Sequence, residues 1–150
     1  MPRFETAQTL ARKIEEVFEF FRRPANILRV SPPDLNLQIL EAPELLELGS
    51  RIVLQARRWG IAQKLASKIT AFEVNAHFVD ELQEGPFRKW VQTHRFETVA
   101  EGTRLTYQVD FEPPGGILGM MLKASAIEKD LQVVCAFRAQ KLQELLGTAC

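Results

Sequence analysis

Residues 85–97 read GPFRKWVQTHRFE. After the Gly-Pro turn signal, the stretch alternates as a strand does. Arg88, Trp90, Gln92, His94 and Phe96 fall on one face, and Lys89, Val91, Thr93, Arg95 and Glu97 on the other. The second face reads as wet. The first carries the large rings and reads as buried, yet it also holds a glutamine and a histidine. Two arrangements accommodate them: they satisfy one another in a plain core, or the interior is not fully packed and another molecule occupies part of it.

The period of two continues on both sides. HFVDELQE (77–84) sets Phe78, Asp80 and Leu82 against Val79, Glu81 and Gln83. EGT (101–103) is a hairpin turn, and RLTYQVDFE (104–112) then places Leu105, Tyr107, Val109 and Phe111 inward. PPGG (113–116) ends the sheet. Upstream, RFETAQTL (3–10), LNLQIL (35–40), SRIVLQARRW (50–59) and KLASKITAFEV (64–74) also read as strands. In 50–59, Ile52, Leu54 and Ala56 oppose Val53, Gln55, Arg57 and Trp59, and the alternation leaves open which set is inside. ARKIEEVFEFFRR (11–23) switches to helical spacing, with Ile14, Val17, Phe18 and Phe21 opposite Glu15, Glu16 and Glu19, and Pro24 stops it. PANILRVSPP (24–33) is a short helical turn or loop. Residues 117–146 read as one long helix of about 45 Å, with Met120, Ala124, Ile127, Leu131, Val134, Leu142 and Leu145 spaced at three and four. Consecutive strands with short connections favour an antiparallel meander, and helices on one face of it make the class α+β.

Composition narrows the function. The chain has 150 residues, read as one domain over 1–150, with 19 basic and 19 acidic side chains and a pI near 6.7. That balance gives no electrostatic case for nucleic acid or an anionic membrane. No apolar run approaches the roughly 18 residues of a membrane span, and MPRFETAQTL lacks the layout of a signal peptide. Cys135 falls within a predicted helix and Cys150 is the last residue, a poor disulfide pair that makes a reducing cytoplasm the expected location. There is no GxGxxG, P-loop or HExxH, and His77 and His94 are not spaced as metal ligands, so neither cofactor nor metal is expected.

The segments EEVFEFFRRPANILRVSPP (15–33), FVDELQEGPFRKWVQTHRFE (78–97) and GTRLTYQVDFEPPGG (102–116), with the final helix, resemble the START-like or helix-grip (SRPBCC) superfamily. More narrowly, they resemble the polyketide cyclase/dehydrase group of small stand-alone bacterial domains. The resemblance implies a curved antiparallel sheet of about six to seven strands wrapped around the long C-terminal helix, with one or two short helices after the first strand. It also implies a cavity between sheet and helix. Asn26, Ile27 and Leu28 would then sit near its mouth.

With that fold, the residues expected to line the interior are Trp90, Gln92, His94, Phe96, Tyr107, Phe111, Leu28 and Met120. Trp90 either stacks on a ligand or fills space, and the resemblance leads to the expectation that Trp90→Ala weakens ligand binding more than folding. Gln92 is the expected hydrogen-bond partner of its neighbours on this face. His94 is a polar anchor or general base if functional, and a buried neutral histidine if structural. Asp80 needs a partner if it faces inward, and Arg57 or Arg58 could supply one. Met120 and Met121, after three glycines, suit an adaptable gate or an ordinary helix start.

Three functions fit. The first is binding of a small hydrophobic or amphipathic molecule, such as a lipid, a quinone or a polyketide-like aromatic, without catalysis, by a monomer or homodimer. The second is a polyketide aromatase/cyclase or dehydratase, with His94 as base and Tyr107 or Arg57 as donor. The third is a protein-interaction module with a filled core, its cue an exposed apolar patch around Trp59.

Overall fold

The computed structural model describes residues 2–58 and 61–147. Seven strands form one antiparallel sheet: β1 (Arg3–Leu10), β2 (Gln38–Glu41), β3 (Arg51–Arg58), β4 (Ile61–Glu73), β5 (His77–Glu84), β6 (Lys89–Val99) and β7 (Gly102–Glu112). Their order is β1-β7-β6-β5-β4-β3-β2. Strands β2 to β7 are thus a meander, and β1 returns to pair along β7 from Arg3↔Asp110 to Leu10↔Thr103. Because β1 and β2 lie at opposite edges, the chain between them must cross one face of the sheet.

That crossing segment contains α1 (Ile14–Arg22). Its first turn carries Glu15 and Glu16 and its last carries Arg22, the charge order that suits the helix dipole. Val17 and Phe18 are fully buried, and the Phe18 ring meets Phe72, Phe78 and Phe96 edge-on at 5.6, 6.2 and 5.1 Å. Arg23 takes an extended backbone ahead of Pro24, as the proline ring requires, and a 3-10 helix spans Pro24–Arg29. The end of α1 is tied down by a reciprocal pair: Leu46 N–H donates to the Arg22 carbonyl at 2.8 Å, and Arg22 Nε donates to the Leu46 carbonyl at 2.9 Å.

The C-terminal region is not one helix. A short α2 (Gly116–Met121) and the long α3 (Ala124–Leu146) are separated at Leu122 and Lys123, both with non-helical backbone. The apolar spacing runs through the break, so the sequence hides it. The break turns Leu122 inward and leaves Ile117, Met120 and Met121 each 78% exposed. Met120 therefore lies at the surface and not on the inner wall. Helix α3 packs on both halves of the interior. Ile127, Leu131 and Cys135 join Phe4, Val109 and Phe111, while Leu142 and Leu146 join Phe18 and Leu105.

Two other boundaries differ from the sequence pattern. The stretch 35–40 yields only β2 from Gln38, because Pro33–Leu35 forms a 3-10 turn closed by Asn36 in the left-handed region (φ 46°). Strand β3 resolves the ambiguity of 50–59: Ile52 and Leu54 face the cavity described below, while Val53, paired with Ala66, is buried on the opposite side. Trp59 lies outside the described residues, as does Cys150. Between β6 and β7, Gly102 has φ 138°, and a Cβ there would stand 2.2 Å from the Leu10 carbonyl oxygen, so the turn needs glycine.

Candidate functional site

Alternation on β5, β6 and β7 fixes the polar centre of the interior. Asp80 is the cross-strand partner of Gln92, and His94 is the partner of both Phe78 and Tyr107. Directly opposed side chains share a face, so five groups converge. Gln92 donates through Nε2 to Asp80 Oδ1 at 2.7 Å. Tyr107 donates its hydroxyl to Gln92 Oε1. A carboxylate only accepts and the phenol here donates, so the amide can point only one way. The remaining Asp80 oxygen, Oδ2, faces His94 Nε2 at 3.6 Å. The His94 ring stacks on Phe78, centroids 4.4 Å apart and planes 18° from parallel. Arg138 of α3 holds its guanidinium 4.7 Å from the centre of the Tyr107 ring.

Burial sets the protonation of this group. His94 is 8% exposed. Removal from water pushes its pKa below the usual imidazole value, outweighing the pull of Asp80 in the other direction, and the Arg138 charge adds to the lowering. Burial pushes Tyr107 well above the ordinary phenol value, so its proton stays available for Gln92. The Cys135 thiol is pushed up for the same reason.

Around this centre lies a cavity of about 110 Å3. Phe20 and Phe21 of α1, Pro24, Asn26 and Ile27 of the 3-10 helix, and Val30 and Leu46 form one side. Ile52, Leu54, Ser67 and Phe78 form the sheet side, with Asp80, Gln92, His94 and Arg138 at the polar wall. A second space of about 40 Å3 lies beyond, between β1, β7 and α3, and His94 and Arg138 wall both. Among the described residues, no three His, Cys, Asp or Glu side chains gather around a metal-sized position.

The residues expected from the sequence separate into groups. Gln92 and His94 line the larger cavity, Tyr107 lines the smaller, and all three share the polar chain. Asn26 and Ile27 line the larger cavity, and Leu28 beside them is 45% exposed. Phe96 packs in the phenylalanine cluster around Phe18. Trp90 sits against Phe87 at 4.5 Å and the fully buried Phe111 at 5.7 Å, away from the larger cavity. Asp80 does face inward, and its partners are Gln92 and His94. Arg57 is exposed; as part of the Val53 set, it points from the other side of β3. Arg138 was not singled out. The signal was its spacing: Leu131, Cys135, Arg138 and Leu142 follow at four, three and four, which puts a cation on the buried stripe of α3.

The curved sheet closed against a long C-terminal helix, with a partly open interior, defines a START-like helix-grip domain. The chain belongs to the polyketide cyclase/dehydrase and lipid transport family, whose model matches residues 1–146. Among solved structures, a START superfamily protein from Mycobacterium smegmatis is similar at TM-score 0.73 and 15% identity, covering 96% of each chain. A protein from Chromobacterium violaceum is similar at TM-score 0.72 and 10% identity, covering 97% of this chain and 98% of that one. The ginseng major latex-like protein 151 from Panax ginseng is similar at TM-score 0.66 and 15% identity, covering 93% and 95%. At these identities the likeness is one of fold. No curated protein matches the chain.

Proposed function

We propose that this protein binds a small hydrophobic or amphipathic molecule in the larger cavity, as a carrier or receptor and not as a catalyst. The observation that carries the reading is the cavity itself: about 110 Å3, with mostly apolar walls and a small number of polar groups, among them Asp80, Gln92, His94 and Arg138, the usual make-up of a small-molecule site. An apolar occupant would take these walls out of contact with water, which favours its binding. The family description, which includes lipid transport, agrees with this reading. No helix among the described residues is long and apolar enough to cross a membrane, and we place the protein in the cytoplasm as a monomer or homodimer of one domain.

Native mass spectrometry of freshly purified protein, followed by solvent extraction, tests this. An added mass that disappears on extraction, and that returns when the extract is added back, is expected. An unliganded mass that no lipid, quinone or aromatic extract changes would count against the reading.

Asp80 facing His94 favours a second reading, proton transfer in an aromatase/cyclase or dehydratase. His94 would serve as base, with Arg138 as the carbonyl-polarising donor in place of the exposed Arg57. Loss of turnover of a poly-β-ketone in His94→Phe, with the cavity still loaded, is the result that reading requires.

A further inference from the structure

Ile117, Met120 and Met121 are each 78% exposed, the highest exposure of any large apolar side chain among the described residues. All three belong to α2. Spaced at three and four, they share one face of it. That face is held outward. Gly119 lies so close to the Pro114 carbonyl that a Cβ there would stand 1.9 Å from the oxygen. Leu122, three residues on, is buried in the cluster of Phe111 and Ile127. The side of α2 with Gly119 and Leu122 therefore faces the domain, and the apolar face points to solvent.

The charge around this face has one sign. Lys123 follows α2 directly and is exposed. The Arg88 guanidinium lies against the start of α2, 2.8 Å from where a Cβ on Gly115 would stand. Neither forms an ion pair among the described residues. The two segments involved, 85–96 and 113–127, contain no acidic residue, and Glu112 at the edge stands across from Lys89. The balanced charge of the whole chain hides this local excess.

We propose that α2 is a docking face for an anionic lipid bilayer, with Ile117, Met120 and Met121 entering the headgroup boundary and Arg88 and Lys123 on the lipid phosphates. A second copy of the chain fits less well, since a two-fold contact through this face would bring each cation against its own copy. Three side chains also fall far short of the roughly 800 Å2 that each partner of a stable protein pair contributes. A bilayer needs no matching shape, and flexible methionines suit it. None of the three apolar residues lines either interior space, so the proposal stands apart from the ligand reading.

Co-sedimentation of the full chain with phosphatidylcholine vesicles, with and without phosphatidylglycerol, tests this at low salt. Binding is expected to the vesicles containing phosphatidylglycerol, and to be weaker by about fivefold or more without it. Met120→Ser combined with Met121→Ser should weaken it by about tenfold, and Lys123→Glu by about fivefold or more. Val133→Ser, at an exposed apolar site elsewhere on α3, should change it less than about twofold. All are surface changes, and circular dichroism should show each variant folded. No binding to either vesicle, or binding that survives the methionine pair or Lys123→Glu, overturns the proposal. A dimer that the methionine pair abolishes, with no vesicle binding, overturns it in favour of a second copy.

Discussion

Gln92 stands directly across the sheet from Asp80 and donates to its Oδ1 at 2.7 Å. The same amide accepts the Tyr107 hydroxyl through its oxygen. One neutral side chain thus holds together a buried carboxylate and a buried phenol, and the cavity's polar wall depends on it.

Gln92→Leu keeps the volume but leaves Asp80 Oδ1 and the Tyr107 hydroxyl unpaired. Each unpaired buried group costs about 1–3 kcal/mol, so a total loss of about 2–6 kcal/mol is expected. Urea unfolding followed by circular dichroism measures it. A loss under about 0.5 kcal/mol would show that water replaces the amide.

His94 gives a pH dependence with a definite sign. Its pKa is lower in the folded protein than in the unfolded chain, so the unfolded chain binds the proton first as the pH falls. Stability should be flat above about pH 7 and should decline below about 6.5. The decline ends once the folded-state pKa is passed. Urea midpoints at pH 8.0 and 5.5 should therefore differ in the wild type and differ less in His94→Phe. An equal slope in the variant would assign the effect elsewhere.

Trp90 is packed between Phe87 and Phe111 and does not line the larger cavity. The alternation leaves it open between ligand and packing, and the family resemblance favours the ligand; its contacts argue for a role in folding. Trp90→Ala should cost about 2–4 kcal/mol, the lower part of the usual range for a core aromatic because this one is partly exposed. Affinity for any cavity ligand, measured well below the melting temperature, should change less than about threefold.

Ser67→Leu tests the cavity from the other direction. Ser67 lies on its wall, and the added carbons would fill much of the space. Overpacking and the gained contacts should nearly cancel, giving a stability change within about 1.5 kcal/mol. The extractable mass seen in native spectra should fall sharply. Unchanged loading at unchanged stability would place the ligand elsewhere.

Phe18→Ala should be the most damaging of these substitutions, at about 3–5 kcal/mol. The ring has no exposure and meets three phenylalanines edge-on. Thermal unfolding would detect it as a large fall in midpoint.

The sheet was legible because its strands obey a period of two and are joined by short turns. Leu105, Tyr107, Val109 and Phe111 all face inward as their alternation requires. Two of the polar groups, Gln92 and His94, were legible for the same reason. Their partners were not, since the pairing of Asp80 with Gln92 depends on where the β5–β6 hairpin sets its register. Periodicity also failed at Met120: three-and-four spacing continues across Lys123, and nothing in it marks a helix break. Strand β3 was ambiguous because Ile52 and Leu54 face the cavity while Val53 is buried on the opposite side. Arg138 carried its signal in its spacing, but a charged residue in a long helix is easily taken for a solvated one.

Arg138 also divides the interior. With its guanidinium over Tyr107 it stands between spaces of about 110 and 40 Å3. His94 walls both spaces as well, so the partition is built from one side chain of the sheet and one of the helix. A smaller residue at either position would thin it from its own side, and the length of molecule that fits is then a property of this inner partition and not of the outer frame.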